Sequence, residues 1–491
     1  MAQLLENMLS LTFTTCLAAL TLFAIYIYRL LHQRDVLARK NAYGLAAKYY
    51  PWEPLLGLDY HMGMHMDIPM LHRDHQRYGK TYQAQTFLAK SAISSIATAN
   101  VRAVNTAKEF GVEPMRLPGM EHFCGSGFLT TDGDIWQHSR KLLKPGFSKN
   151  NIVDFAYLSQ QMDRFLGHLP ADGATVDLQP LFYTMFLNTS IYFLLGIDPT
   201  KDEEEAPHSS ADFIMAFHNA LYYTMLRIVL GRVWSILPQK KYHDACRTGH
   251  EYLDHYISRA LHQNDGKVKK QSLLSSLATQ TDDQRFIRHQ ILQGMMASQE
   301  TTSALLGNAC LLLSRHPRYW EQVRLETYGL DAQGLNFDAL LGLVTVRNIL
   351  LETLRLYPIF PILGRSALQD TELPTGGGPK QDLPIFVPKD TVIVLSYFAL
   401  HRDSTVFGED VEQFRPERWE TIKPNAWEFM GFGGGNRACM GQQKALVEAA
   451  YVLVRLTNKY TKCESRDASA WEGEVKLTCK SKHGCKVALL S

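Results

Sequence analysis

The run from Phe429 to Gln443 reads FMGFGGGNRACMGQQ and sets Cys439 behind three consecutive glycines and Arg437, just ahead of a helical pattern. Glycines carry no Cβ, so such a backbone can lie flat against a large planar group with amide N–H groups aimed at the sulfur. A cysteine at a helix N-terminus also meets the positive end of the helix dipole, which lowers its pKa and favours the thiolate, the form that ligates metals. For the glycines alone, a turn beside a buried free cysteine reads equally well. Glu352 and Arg355, in ETLR, share one helical face at i, i+3, a spacing that by itself describes surface pairs worth about 0.2–0.5 kcal/mol. Trp136 and Arg140, in GDIWQHSRKLL, stand i, i+4 and could grip a carboxylate between an indole N–H and a guanidinium. Glu300 is the one charge in the 25 residues from Gln290 to Ser314, and an isolated carboxylate in such a stretch needs water, a partner or a task. Thr301 puts a hydroxyl beside it.

Taken together these elements resemble the cytochrome P450 family, the heme-thiolate monooxygenases. Phe432, Gly435, Arg437, Cys439 and Gly441 meet FxxGxRxCxG in full, and ETLR followed by FRPERW (Phe414 to Trp419) is similar to the family's ExxR and PERF elements. The resemblance implies that heme b is the cofactor, that Cys439 is the axial ligand of its iron, and that Arg437 meets a propionate. Thiolate donation toward O–O cleavage is the general property of this ligand. It further implies that Glu352, Arg355 and Arg418 form a buried triad, that Trp136 and Arg140 contact a propionate, and that Arg365 (ILGRSAL) contacts another. His401 (ALHRD) is a further candidate. ASQETT (Ala297 to Thr302) resembles AGxETT, in which Glu300 and Thr301 would be the catalytic pair holding the waters that relay protons. Ser298 departs from the glycine expected at the bend of that helix, although a serine hydroxyl can also bond back to a carbonyl and bend a helix. A finer likeness joins TTDGDIWQHSRKLLKPGF and FGGGNRACMGQQKAL to fungal microsomal alkane and fatty-acid hydroxylases. Those segments grip heme, so they speak of ancestry rather than substrate.

Such residues must be held by a large core, and the composition allows one. The 491 residues are 46% hydrophobic and 20% charged, with a net charge of +2, so no broad cationic field is offered to polyanions and nucleic acid is not expected as a partner. Eight dispersed cysteines without a CxxC pair suggest neither a zinc ribbon nor a disulfide scaffold. Met8 to Tyr28 is a 21-residue run without charge, long enough to cross a bilayer, and Arg29, Arg34, Arg39 and Lys40 follow it. The positive-inside rule then leaves the remainder cytosolic, on an uncleaved anchor. The division expected is an anchor with its basic flank over 1–40, a Pro- and Gly-punctuated linker over 41–75, and a heme-thiolate domain over 76–491. The fold class expected is mainly α with a minor β region, with one long helix over Gln290 to Ser314.

The function implied is hydroxylation or another oxidation of an apolar substrate, using O2 and electrons from an NADPH-cytochrome P450 reductase at the endoplasmic reticulum membrane. The substrate would be a fatty acid or alkane chain, or a fungal secondary metabolite such as a terpenoid or polyketide. Candidate substrate walls are His122, Phe123, Phe128, Ala297 and the run Ile359 to Leu363, each equally readable as plain core. Two alternatives share the fold: a reductase-independent isomerase or dehydratase, against which the Glu300 and Thr301 pair speaks, and a non-catalytic heme sensor.

Overall fold

The computed structural model describes residues 12–29, 43–86, 92–149, 151–170, 172–201, 205–230, 239–262, 272–330 and 334–491. Helix α1, Thr12–Arg29, is long and apolar enough to cross a membrane, and none of it is buried against the rest of the chain. The helices that build the site follow: α2 (Glu113–Cys124), α3 (Gly133–Leu143), α4 (Leu178–Leu195), α5 (Ser210–Leu230), α6 (Lys240–His262), α7 (Gln284–Ser298), α8 (Thr301–Arg315), α9 (Val344–Leu356) and α10 (Gln442–Lys459). Local chemistry sets several of their ends. Asp177 accepts from the Gln179 amide at the start of α4, which stops at Gly196 with φ 79°, and Asp283 accepts from the Phe286 amide at the start of α7.

Helices α8, α9 and α10 pack on one another and form the centre of the largest apolar cluster. Every residue of α8 from Thr302 to Ser314 is buried, so this helix is wrapped on all sides. A second cluster joins α2, α5, α6 and α7 as a roof. The β component is a six-stranded sheet in the order β1 (Ala47–Tyr49), β2 (Thr81–Ala84), β3 (Ala92–Ser95), β6 (Val392–Ser396), β5 (Ile362–Ala367) and β4 (Phe110–Gly111). Pairing of β5 with β6 sets Arg365 opposite Ile393. A hairpin of β7 (Gly473–Val475) and β8 (Cys479–Ser481) lies against α8.

Two expectations about elements change. The described part of the expected linker, 43–75, is packed: it supplies β1, the helix Leu58–Met66 and most of the helix Ile68–Tyr78, and buries Tyr60 and Leu71 completely. Its prolines and glycines punctuate short packed elements, for which linker composition is a poor guide. The long helix over Gln290 to Ser314 is two helices, α7 and α8, broken at Gln299 and Glu300.

Candidate functional site

The cysteine loop is shaped before its sulfur is considered. Gly433 and Gly435 have φ of 69° and 65°, and a Cβ on Gly435 would stand 2.4 Å from the Asn105 carbonyl oxygen. A side chain there is excluded by both conformation and space. The Cys439 amide donates to the Phe432 carbonyl at 2.9 Å, closing the loop, and Gly441 then leads into α10. Among the eight free cysteines, only Cys439 and Cys16 of α1 are solvent-accessible. Burial pushes the thiol above its usual range, while the Gly441 amide and the Arg140 guanidinium pull it down. A coordinated cation would favour the thiolate further.

Glu352, Arg355 and Arg418 come together as a buried knot. Arg355 donates from Nε to Glu352 Oε2 at 2.9 Å and from Nη2 to Oε1 at 2.8 Å, and both side chains are 0% exposed. The Glu352 carboxylate also accepts from Arg418 Nε at 3.3 Å, from the Arg415 amide at 3.0 Å and from Trp419 Nε1 at 3.0 Å. Arg355 also donates to the carbonyls of His401, Val411 and Gln413, which tie α9 to the meander leading to the cysteine loop.

His401 belongs to this framework and corrects its own candidacy. Its Nε2 accepts the Met430 amide at 2.9 Å, and burial together with Arg355 and Arg402 pushes its pKa down to about 3. A neutral, fully enclosed imidazole engaged in this way holds the start of the cysteine loop and has no role at a propionate. Because this pKa lies below the usual value of about 6.5, the contribution of His401 to stability is complete above that pH and is lost as pH falls, by roughly 1.4 kcal/mol per unit. His401→Gln is expected to be less stable than the parent at pH 7 and to show a shallower loss between pH 6.5 and 4. Urea midpoints of both proteins across that range check this, and parallel curves would refute it.

Arg437 does not stand alone. Its Nη2 donates to the Thr131 carbonyl and to Asp132 Oδ1, each at 2.6 Å, and its guanidinium lies 4.6 Å from the centre of the Trp136 ring. Arg140 Nη2 donates to the Ala438 carbonyl at 2.9 Å, one residue before Cys439. Both guanidinium groups lie over the indole of Trp136, Arg140 at 5.9 Å and Arg437 at 4.6 Å from its ring centre. Arg365, 4% exposed, has the Gly364 carbonyl as a partner. The sequence reading missed Arg116 on α2, which donates to the Leu129 carbonyl at 2.9 Å. Burial, Arg365 and Arg437 push Arg116 down to about 9; burial, then Arg365 and Arg140, push Arg437 to about 10, and Asp132 opposes both. Burial also lowers Arg365.

Arg116, Arg365 and Arg437 thus gather about Asp132, with Arg140 close enough to act on Arg437 and on Cys439, so positive charge predominates here among the described residues. Heme b carries two propionates, so the donor set fits that group in charge. Gln293 of α7 braces the arrangement from above: it accepts from the Leu129 amide at 2.8 Å and donates to the carbonyls of Cys124 and Gly125.

On α7 and α8, only Ala297, Ser298, Glu300 and Thr301 escape burial within 290–314. Thr301 Oγ1 donates to the Ala297 carbonyl at 3.1 Å, satisfying an acceptor freed by the helix break, whereas Ser298 Oγ has no partner. The back-bond anticipated for serine is made by threonine. Glu300 Oε2 accepts from Thr478 Oγ1 at 3.0 Å, a contact to the β7–β8 hairpin that sequence spacing could not reveal. Of the proposed substrate walls, Phe123 is core, 1% exposed and 5.5 Å from Phe217 by ring centres, and Ile359 is 5% exposed. His122 is exposed and pairs with His243 of α6 at 2.8 Å.

Comparison with known proteins accords with this geometry. A family profile for cytochrome P450 matches residues 50–467. The chain is 35% identical over 440 residues to the cytochrome P450 monooxygenase himC of Aspergillus japonicus, covering 87% of this chain and 78% of that protein. It is 30% identical to cytochrome P450 52E1 of Candida apicola, covering 77% of each. Among solved structures, the cytochrome P450DA heme domain superposes with a TM-score of 0.75 at 21% identity, covering 91% of this chain and 98% of that one.

Proposed function

The chain belongs to the cytochrome P450 family and is a heme-dependent monooxygenase, and from that premise we propose that it acts at the endoplasmic reticulum membrane, with an NADPH-dependent reductase, on an apolar substrate. The anchor reading rests on α1, followed in the sequence by Arg29, Arg34, Arg39 and Lys40. Heme, when bound, supplies the iron at which O2 is activated with electrons from the partner.

The chain's own residues do the rest. Arg116, Arg365 and Arg437 would hold the propionates, and Cys439 presents the sulfur, with the Gly441 amide directed at it. The observation that carries the reading is the accessible turn at the helix break. There Thr301, having donated its proton to Ala297, keeps its oxygen free to accept one hydrogen bond from water, and Glu300 places a carboxyl group beside it. Ala297 leaves room on the same face for a substrate without hydrogen-bonding groups.

Titration of the ferric protein with saturated fatty acids of increasing length tests the substrate. A saturable low- to high-spin shift that tightens by roughly threefold or more per added CH2 supports a linear apolar chain, since each buried CH2 is worth about 0.8 kcal/mol. No shift across the series, in protein that still forms the thiolate-type reduced CO complex, would replace the chain by a bulkier terpenoid or polyketide-like substrate.

A further inference from the structure

Beside the helix break lies a polar knot that the heme and substrate contacts do not use. Gln299, 1% exposed, is one of the two residues between α7 and α8. Its Nε2 donates to Tyr183 Oη of α4 and lies 2.9 Å from His218 Nε2 of α5. Tyr183 Oη in turn stands 2.6 Å from that same nitrogen. With His218 neutral and its proton on Nδ1, the single lone pair of Nε2 accepts from the Tyr183 hydroxyl, while the Gln299 amide donates to Tyr183 Oη. Burial disfavours the charged imidazole, against the pull of Glu300 and with the help of Lys480.

The backbone at the break is satisfied locally. Thr301 covers the Ala297 carbonyl, and Ser303 Oγ donates to the Glu300 carbonyl at 2.9 Å. These bonds permit a bend but do not aim it, because both lie within the same stretch of chain. Glu300 ties the bend to the β7–β8 hairpin through Thr478, and Gln299 ties it to α4 and to α5, which is part of the roof with α2 and α6. Glu300 follows Gln299 directly in the chain, and its charge is felt by both Tyr183 and His218.

We propose that Tyr183, His218 and Gln299 are positioning residues that couple the roof helix α5 to the helix break, so that the seat of α5 sets where Glu300 and Thr301 stand. This rests on the reading of Glu300 and Thr301 as the proton-handling pair. A substrate that settles under α5 would then fix the acid and the hydroxyl in the same event, and a displaced roof would leave them misaligned.

The test uses the full-length, heme-loaded protein and the variants His218→Phe, which removes the acceptor, and His218→Gln, which keeps a polar atom near Nε2. Amide hydrogen exchange is followed for the 297–304 segment against 308–313 of the same helix. Loss of one buried hydrogen bond is expected to speed exchange at 300–303 roughly tenfold in His218→Phe, with 308–313 unchanged and His218→Gln close to the parent. Reductase-supported turnover of His218→Phe should release more peroxide per NADPH, with kcat for product lowered and KM little changed. Unchanged exchange in His218→Phe, equal acceleration in both variants, or acceleration spread along all of α8 would each overturn the coupling. If His218→Phe takes up no heme, Tyr183→Phe, which deletes one oxygen, takes its place under the same criteria. A parent protein that gave no thiolate-type reduced CO spectrum would instead remove the monooxygenase reading, while the exchange data would still judge the knot.

Discussion

Arg355→Ala is expected to accumulate as apoprotein, with heme per chain lowered at least roughly tenfold. The truncation strips five hydrogen bonds at once, two to Glu352 and three to the carbonyls of His401, Val411 and Gln413. Glu352 stays behind at 0% exposure, opposed by Arg418 at a long 3.3 Å. Breaking a buried pair from one side costs about 3–5 kcal/mol, a large part of the ~5–15 kcal/mol that holds a typical protein folded. The damage is directed, since the three freed carbonyls lie on the meander that ends at the cysteine loop. Arg355→Lys should fail almost as badly, because an ammonium cannot reproduce the fork on Glu352 and still reach three carbonyls. Removing both charges, as Glu352→Leu with Arg355→Leu, should fold better than either single change, because no uncompensated charge is left inside. The pyridine hemochrome assay against total protein reads the outcome, and a normal ratio in Arg355→Ala would end the assignment of this knot as the loop's support.

The features visible in the sequence are those whose chemistry is carried by neighbours along the chain. Cys439 with its glycines, Glu352 with Arg355, and Glu300 with Thr301 each fall within a few residues, so residue type and spacing already describe the local geometry. The charge balance was not visible in this way. Arg116 becomes part of the site only when α2 is folded beside β5 and the cysteine loop, and a lone arginine in EPMRLPGM carries no spacing signal. Asp132 was inside a quoted motif, yet its role as partner of Arg437 depends on a contact across the fold. The helix break was hidden for a different reason. Hydrophobic periodicity runs unbroken through Gln299 and Glu300, and the bend depends on hydroxyl bonds from Thr301 and Ser303 that compete locally with the helical ladder. His401 shows the converse: a histidine near a site was read as a possible contact, and full burial with an amide on Nε2 made it framework.

Cys439→Ser is expected to keep heme and lose monooxygenase turnover, giving a reduced CO spectrum of the neutral-ligand type. The loop does not need the sulfur for its shape. Its closure is the Cys439 amide on Phe432, its turns are Gly433 and Gly435, and its support is the Glu352 and Arg355 knot, all of which survive the exchange. The cation cluster of Arg116, Arg365 and Arg437, as proposed for the propionates, would remain, so affinity should fall without vanishing. What is lost is the polarisable thiolate, because a serine hydroxyl remains protonated where even the thiol is pushed upward by burial. The pair of variants therefore separates two functions that one spectrum of an inactive protein would merge: Arg355→Ala fails to assemble the site, and Cys439→Ser assembles it with the wrong ligand. A thiolate-type band persisting in Cys439→Ser would require another sulfur at the iron. Cys124, Cys310, Cys463, Cys479 and Cys485 are buried in the core, and burial raises the pKa of each. Cys246 is likewise buried beside Tyr242 on α6 and raised to about 12. With Cys16 in the apolar helix α1, no second thiol among the described residues is placed to substitute, so the loss of that band is a direct reading of the axial ligand.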